Sequence, residues 1–478
     1  MKSEIYISVG SVFGSALLWL LSFKLVACWF GPEGVGLFSQ LRQITQAATI
    51  AITYGGTNAI VQSLAERRNN LQACFQLRGT ASRLVIITAG LIIALALLFA
   101  TPATHTFLSS DSDELIRTLR LICFAILLNV GSTYTIAVLN GYCSYKLLAL
   151  AQLAGPLALV IALSFLYFMK FPFHAEILGY LLIVCFLFAY LAGSYGVLRL
   201  PKPALSALKA NYLSKTDTAV FIKFAAATLI AAISSTVSLL FIRAWIIESH
   251  GLAFAGLFDA AWTLTFNYIT LLLTACSTLY LPLLASSMGD KEQKTYLLKT
   301  AYLILVSCTL ICFFIVVFQK ELISILYTPE FAESGQLIVI LTVAVIFRSI
   351  SWVYGMLIVA KKNTRMLILS DLTFNLLLLI SAQYVMQNYS SMDSIGWIFV
   401  LPHFFYLTFV LEYACYNNKL LTRRQIWPLI ILAVLPLLLI VLCNDNMPIL
   451  SKQTNFIFMA TGLAVSGLSW CNYKKIAL

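Results

Sequence analysis

Apolar runs about 20 residues long recur from one end of this chain to the other, and nothing else in the sequence restricts the fold so strongly. A helix rises 1.5 Å per residue, so a bilayer core about 30 Å thick is crossed by roughly that many residues. Such runs fall near 6–28, 36–62, 83–104, 117–139, 147–169, 176–198, 219–245, 253–285, 298–318, 335–359, 366–386, 394–416, 426–443 and 454–472, about fourteen in all. The run 253–285 is long enough to tilt or kink. Composition agrees with this reading. Hydrophobic residues make up 61% of the chain and charged residues 10%, against roughly 45–50% and 25% in a soluble domain. Too little charge is present to cover a soluble fold, and the apolar content excludes disorder. The 11 Cys are sparse and mostly inside apolar runs, which excludes a disulfide scaffold. The chain therefore reads as an all-α polytopic membrane protein. Its first apolar run contains Lys24 and lacks a small-residue cleavage site, so it is expected to stay as a span.

The formal charge of +12 reflects the positive-inside bias rather than nucleic-acid binding, since no basic stripe is interleaved with aromatics. Of 31 Lys and Arg, 21 fall in the termini and loops of one side, and 5 (Arg117, Arg120, Lys170, Lys320 and Lys452) in those of the other. The second side carries acids instead, among them Asp111, Asp113, Glu114, Glu330 and Glu333. This asymmetry places both termini in the cytoplasm. Loops no longer than about 20 residues leave no room for a soluble catalytic domain. No phosphate-binding glycine loop occurs, no C-x-x-C pair, and no His with a Cys or carboxylate at ligand spacing. Cys308 and Cys312 share one apolar run and read as buried thiols. Neither catalysis, a metal nor a cofactor is expected.

The chain repeats itself at an offset of 219–220 residues. Gly36-Leu37-Phe38 recurs as Gly256-Leu257-Phe258, Lys24 has its counterpart in Arg243, and Val138 to Leu153 lines up with Leu357 to Leu372. An offset spanning six helices puts both copies the same way up, related by an axis along the membrane normal. The expected organisation is an N-terminal six-helix lobe at 1–198, a basic linker at 199–218, a second six-helix lobe at 219–425, and two additional helices at 426–478. Two pseudo-symmetric lobes around a central cavity form a transporter architecture.

Five cations remain inside the spans: Lys24, Arg42, Lys223, Arg243 and Arg348. Two acids accompany them, Asp259 and Asp371. A charge at the bilayer centre costs at least about 2.5–3.5 kcal/mol on insertion scales, so each needs a partner or water. Arg348 lies too deep to snorkel, and either faces a cavity or pairs with Asp371 or Asp259. Lys24, Arg42 and Arg243 are read as one or two turns inside the outer edge, and Lys223 as one turn inside the cytoplasmic edge. For these, snorkelling to headgroups is the plain alternative. Arg42 belongs to a polar stripe of Ser39, Arg42, Gln46, Thr49, Thr53 and Thr57. The second half carries a matching stripe of Asp259, Thr263, Asn267, Thr270, Thr274 and Ser277. Such stripes either pack helices together or line a wet cleft. A cavity so charged favours an anion, since Arg offers forked hydrogen bonds to phosphate and Lys a point charge. The hydroxyl and amide stripes, Gln46 included, suit a hydroxyl-rich head group.

The segment Phe23 to Gln43, FKLVACWFGPEGVGLFSQLRQ, resembles the first helix pair of Wzx-type lipid-linked oligosaccharide flippases. This family includes O-antigen translocases and lipid III flippase-like carriers, and belongs to the multidrug/oligosaccharidyl-lipid/polysaccharide (MOP) exporter superfamily. Lys24, Gly31, Pro32, Gly34, Gly36, Arg42 and Gln43 carry the resemblance. It continues through Lys223-Phe224, Arg243, Tyr280-Leu281-Pro282 and Tyr354 to Lys361, covering about residues 5–420. It implies the MOP exporter fold with alternating access. It also implies transfer of an undecaprenyl-diphosphate-linked glycan, such as an O-antigen repeat unit, from the cytoplasmic to the periplasmic leaflet of a bacterial inner membrane. Lys24, Arg42, Lys223, Arg243 and Arg348 would engage the diphosphate and head group. Asp259 and Asp371 are candidates for proton or sodium coupling, with charge pairing as the alternative. Other polysaccharide-assembly membrane proteins are implied partners. The two C-terminal spans depart from the twelve-helix core that the resemblance implies.

The rival readings are an ion-coupled drug or cation antiporter of the same superfamily, a membrane glycan polymerase or ligase, and a teichoic-acid or capsule exporter. The antiporter calls for a carboxylate within the first six spans, where this chain has none. The enzyme calls for a long outer loop.

Overall fold

The computed structural model describes residues 2–53, 58–67, 70–172, 174–201, 215–286, 290–361, 363–389 and 391–417. The two spans expected at 426–443 and 454–472, and most of the expected linker at 199–218, lie outside the described residues. Among the described residues the secondary structure is helical, without strands. The elements are α1 (Lys2–Ile52), α2 (Asn58–Glu66), α3 (Leu71–Leu98), α4 (Ala100–Leu108), α5 (Asp113–Gly141), α6 (Tyr145–Phe168) and α7 (Ala175–Leu198). There follow α8 (Lys215–Trp262), a π-turn (Thr263–Asn267), α9 (Tyr268–Ser286), α10 (Asp290–Val317), α11 (Gln319–Leu326), a 3-10 turn (Pro329–Phe331), α12 (Ser334–Ala360), α13 (Thr364–Asn388), α14 (Met392–Glu412) and a second π-turn (Tyr413–Asn417).

Ten stretches of these residues are helical, long and apolar enough to cross a membrane. Two of them, Gly10–Ile52 and Ala232–Thr274, are 43 residues long, about twice what a bilayer core needs. Each is broken by a glycine that no side-chain-bearing residue replaces easily. Gly31 has φ 62° and ψ −161°, and Gly251 has φ 86° and ψ 173°, a region that is essentially glycine-only. Each long stretch thus supplies two limbs, and the ten stretches account for the twelve runs read before residue 418. Gly31 and Gly251 are related by the same offset as the sequence repeat. The turn at Gly31 folds α1 back on itself, so that Phe23 meets Phe38 edge-to-face at 5.5 Å.

Local sequence sets the helix starts. Asn70 caps α3 by accepting from the Ala73 N–H, Ser112 caps α5 by accepting from the Leu115 N–H, and Asn363 caps α13 by accepting from the Met366 N–H. Each satisfies a donor the first turn would otherwise leave open.

Packing divides the chain into two compact units at Gly256. In the first, polar side chains clamp apolar helices together. Ser11 donates to Gln152 Oε1 at 2.8 Å, joining α1 to α6, and Asn129 donates to Thr49 Oγ1 at 3.0 Å, joining α5 to α1. Such bonds hold helices where lipid removes the hydrophobic incentive to associate. At one end of α5 and α7, Arg117 pairs with Glu176 at 2.7 Å and Glu114 accepts from the Ala175 N–H. The limb of α8 before Gly251 runs against the second limb of α1. Gln43 Nε2 donates to the Thr236 carbonyl at 3.3 Å. Near the glycine turns the two backbones touch: a Cβ on Gly36 would fall on the Leu252 carbonyl, and one on Gly256 on the Pro32 carbonyl. Both pairs obey the repeat offset, so the duplication appears here as a two-fold-related crossing.

In the second unit α12 is the central element. Its most apolar window is 89% buried, against 22% for α13. The run 253–285, expected to tilt or kink, contains a π-turn at Thr263–Asn267.

Candidate functional site

The first unit holds Lys24, Arg42, Gln46 and Arg243 among the residues singled out from sequence. Arg42 lies eleven residues after Gly31, about 16 Å along the limb, or three turns from the glycine. Its guanidinium carbon sits 4.5 Å from the Trp19 ring centroid and 5.3 Å from that of Phe23. Trp19 lies twelve residues before Gly31, so the turn places both side chains at one depth. Arg243 is 5% exposed, and its Nη1 donates to Ser39 Oγ at 2.9 Å. Lys24 is half-buried and Gln46 exposed. The polar stripe of α1 therefore divides. Ser39, Thr49 and Thr53 are buried in helix packing, while Arg42 and Gln46 retain access. Thr57 lies outside the described residues. Lys223 is helical, in the first limb of α8.

In the second unit Arg348 stands near the middle of α12, and its guanidinium carbon is 5.3 Å from the Phe266 ring centroid. It makes no ion pair among the described residues. Phe266 belongs to the π-turn and is 2% exposed. It stacks on Trp262 at 4.0 Å and reaches Phe399 at 6.0 Å and His403 at 5.5 Å. His403, also buried, hydrogen-bonds the Phe399 carbonyl through Nδ1 at 2.7 Å. A π-turn widens the helix by one residue and is frequent where function requires a displaced side chain. Here it carries the ring shared by a mid-span Arg and a mid-span His. Asp259 is 4% exposed, and Asp371 is half-buried without an ion pair among the described residues. The second polar stripe divides too: Asp259 is buried, while Asn267 and Thr274 are exposed, with Asn267 donating to Thr263 Oγ1 at 3.3 Å and Thr274 to the Thr270 carbonyl at 2.8 Å. These local bonds make an exposed polar face tolerable inside a span.

Sequence reading missed Trp19, Ser39 as the partner of Arg243, Phe266 and His403. Only Trp19 had a legible signal, its spacing from Gly31 mirroring that of Arg42. An apolar groove of about 580 Å³ between α13 and α14, lined among others by Leu377, Tyr384, Trp397 and Phe405, contains none of the expected site residues. No cluster of His, Cys, Asp or Glu fit to hold a metal occurs among the described residues.

A twelve-limb helical chain whose two long stretches break at glycines one repeat apart has close counterparts among solved structures. A structure titled "Lipid II flippase MurJ, inward closed conformation" superposes with a TM-score of 0.73 at 12% identity, over 99% of this chain and 100% of that one. The inward-facing conformation of a multidrug resistance MATE family transporter of the MOP superfamily gives 0.71 at 12% identity, over 85% and 95%. This is the MOP exporter fold. In sequence, the MOP-fold chain is 22% identical over 384 residues to the lipid III flippase of Escherichia coli (strain K12), covering 78% of this chain and 89% of that protein. The lipid III flippase of Shigella flexneri matches equally. No family model matches the chain. These relatives are transporters and flippases rather than enzymes, and the chain is a multi-pass membrane protein.

Proposed function

We propose that this chain is a flippase that carries a lipid-linked, diphosphate-bearing oligosaccharide from the cytoplasmic to the outer leaflet of a bacterial inner membrane, by alternating access. The substrate is an undecaprenyl-diphosphate-linked repeat unit of O-antigen or a related surface polysaccharide. Two six-helix lobes, 1–198 and 219–425, enclose a cationic cavity in which Lys24, Arg42, Lys223, Arg243 and Arg348 hold the anionic head group and Gln46 meets its hydroxyls. Both termini are cytoplasmic. Asp259 and Asp371 either bind a coupling proton or sodium ion, or balance the cations.

The observation that carries this reading is Arg348. It is a guanidinium in mid-span, seated on an aromatic ring and making no ion pair among the described residues. A permanent charge so placed is costly unless it meets water and an anionic ligand. The likeness to lipid II and lipid III flippases supports the lipid-linked class. The likeness to a MATE transporter supports the drug or cation antiporter as the second reading. That reading lacks a carboxylate within the first six spans.

The test is complementation of a host lacking its own flippase for such a substrate. Arg42→Ala and Arg348→Ala are expected to abolish surface glycan while membrane insertion stays intact, and Arg348→Lys to retain only part of it, because Lys offers charge without the fork. Full surface glycan from both alanine variants overturns the anion site.

A further inference from the structure

His403 stands near the middle of α14 and is 6% exposed. Its Nδ1 lies 2.7 Å from the Phe399 carbonyl oxygen, one turn earlier. A carbonyl can only accept, so Nδ1 carries the hydrogen and donates it. The basic lone pair is then on Nε2, which has no hydrogen-bond partner among the described residues. The imidazole packs edge-to-face on Phe374 of α13 at 4.8 Å and against Phe266 of the π-turn at 5.5 Å. Phe266 is also the ring against which Arg348 lies. Arg348 is half-buried, and its side chain makes neither an ion pair nor a hydrogen bond among the described residues. A permanent charge and a group able to gain one are thus packed against the same side chain.

Near mid-span, the other titratable groups on the surrounding helices are Tyr354 on α12, Asp371 on α13, Asp259 and Tyr268 on either side of the π-turn, and Tyr406 on α14 itself. The charge that acts on His403 is that of Arg348, whereas Asp371 acts on Tyr406. Two cations sharing one ring repel each other, the more so where little water screens them. An anion held at Arg348 cancels that repulsion and admits a positive imidazole. Linkage is reciprocal, so a protonated His403 tightens the hold on the anion by the same factor.

We propose that His403 is a proton-binding site linked to the anion site at Arg348: a proton from water adds to the Nε2 lone pair when a diphosphate occupies Arg348, and returns to water when the diphosphate leaves. This rests on the flippase reading above and gives that anion site a proton site besides the two carboxylates. At this depth the empty protein then carries one positive charge and the loaded protein two, the second present only with the anion that balances it.

The purified full chain in lipid nanodiscs is titrated calorimetrically with farnesyl diphosphate in two buffers of different ionisation enthalpy, which gives the protons taken up per anion bound. His403→Asn keeps an amide N–H for the Phe399 carbonyl and cannot titrate, and His403→Gln serves as a second variant. Proton changes of the ligand itself are common to every chain and cancel in the difference. Near neutral pH the parent chain is expected to take up more protons than either variant, by up to about one per anion. Binding that takes up a proton tightens as pH falls. Between about pH 8 and about pH 6, where histidine titrates, the parent should therefore gain about tenfold in affinity over the variants. A packing role alone would lower affinity equally at every pH and overturns the proposal. Isotope-labelled histidine read by NMR follows the same step in the parent chain: one of the four His should pass from neutral to charged when farnesyl diphosphate is added, and no such change overturns the proposal. Unchanged diphosphate binding by Arg348→Ala overturns the anion site itself. Weakened binding by Arg348→Ala, with equal proton uptake by the parent and both His403 variants, overturns the role of His403 and leaves the anion site standing.

Discussion

At the residue scale, two mid-span arginines lie against aromatic rings, Arg42 on Trp19 and Phe23 and Arg348 on Phe266. Arg243 differs, being buried with a bond to the Ser39 hydroxyl. A neutral acceptor lost from a buried cation costs about 1–3 kcal/mol. Ser39→Ala should therefore lower stability by that amount in a thermal unfolding assay of the detergent-solubilised chain, and Ser39→Thr should recover it. Phe266→Leu removes the ring beneath Arg348 while keeping apolar volume. The expected outcome is a loss of surface glycan larger than the loss of protein in the membrane, measured on the same cells. Equal losses would make Phe266 a packing residue only.

At the scale of elements, the two glycine-broken stretches decide the topology. Without Gly31 and Gly251, each would be a single helix twice too long for the bilayer. The close approach of Gly36 to the Leu252 carbonyl and of Gly256 to the Pro32 carbonyl leaves no space for a methyl group. Overpacking of this kind costs about 1–3 kcal/mol. Gly36→Ala and Gly256→Ala should each lower the melting temperature, and the double substitution should cost less than the sum, since one crossing is opened by either. Additive losses would show two independent contacts. The π-turn at Thr263–Asn267 is a second element-scale device, because it turns Phe266 toward Arg348 and His403 within an otherwise regular helical run.

At the scale of the whole molecule, the distribution of Lys and Arg is expected to orient the chain with both termini in the cytoplasm. In a cysteine-free background, Asp111→Cys should react with a membrane-impermeant maleimide from outside intact spheroplasts, and Arg365→Cys only after the membrane is opened. Both positions are exposed, so the reverse pattern would invert the topology and with it the direction of transport. The groove between α13 and α14 lies apart from the charged residues, and its apolar lining suits contact with lipid.

Sequence alone determined the class of solvent, the number of spans before residue 418, the orientation expected from charge, and the repeat. Each of these depends on local hydrophobicity or on residue order along one chain, quantities that a bilayer reads segment by segment. It also named the intramembrane cations, because a charge within an apolar run is conspicuous. It did not locate the turn before Arg42, since the end of a hydropathy run does not mark one, whereas the φ of Gly31 does. The neighbours of those cations came only from tertiary structure. Trp19 and Arg42 are 23 positions apart, Arg348 and Phe266 are 82, and Ser39 and Arg243 are 204. An aromatic or a serine in an apolar helix carries no mark of which charge it will meet. That is decided by how the limbs turn and cross, where close packing, and not composition, selects the partner.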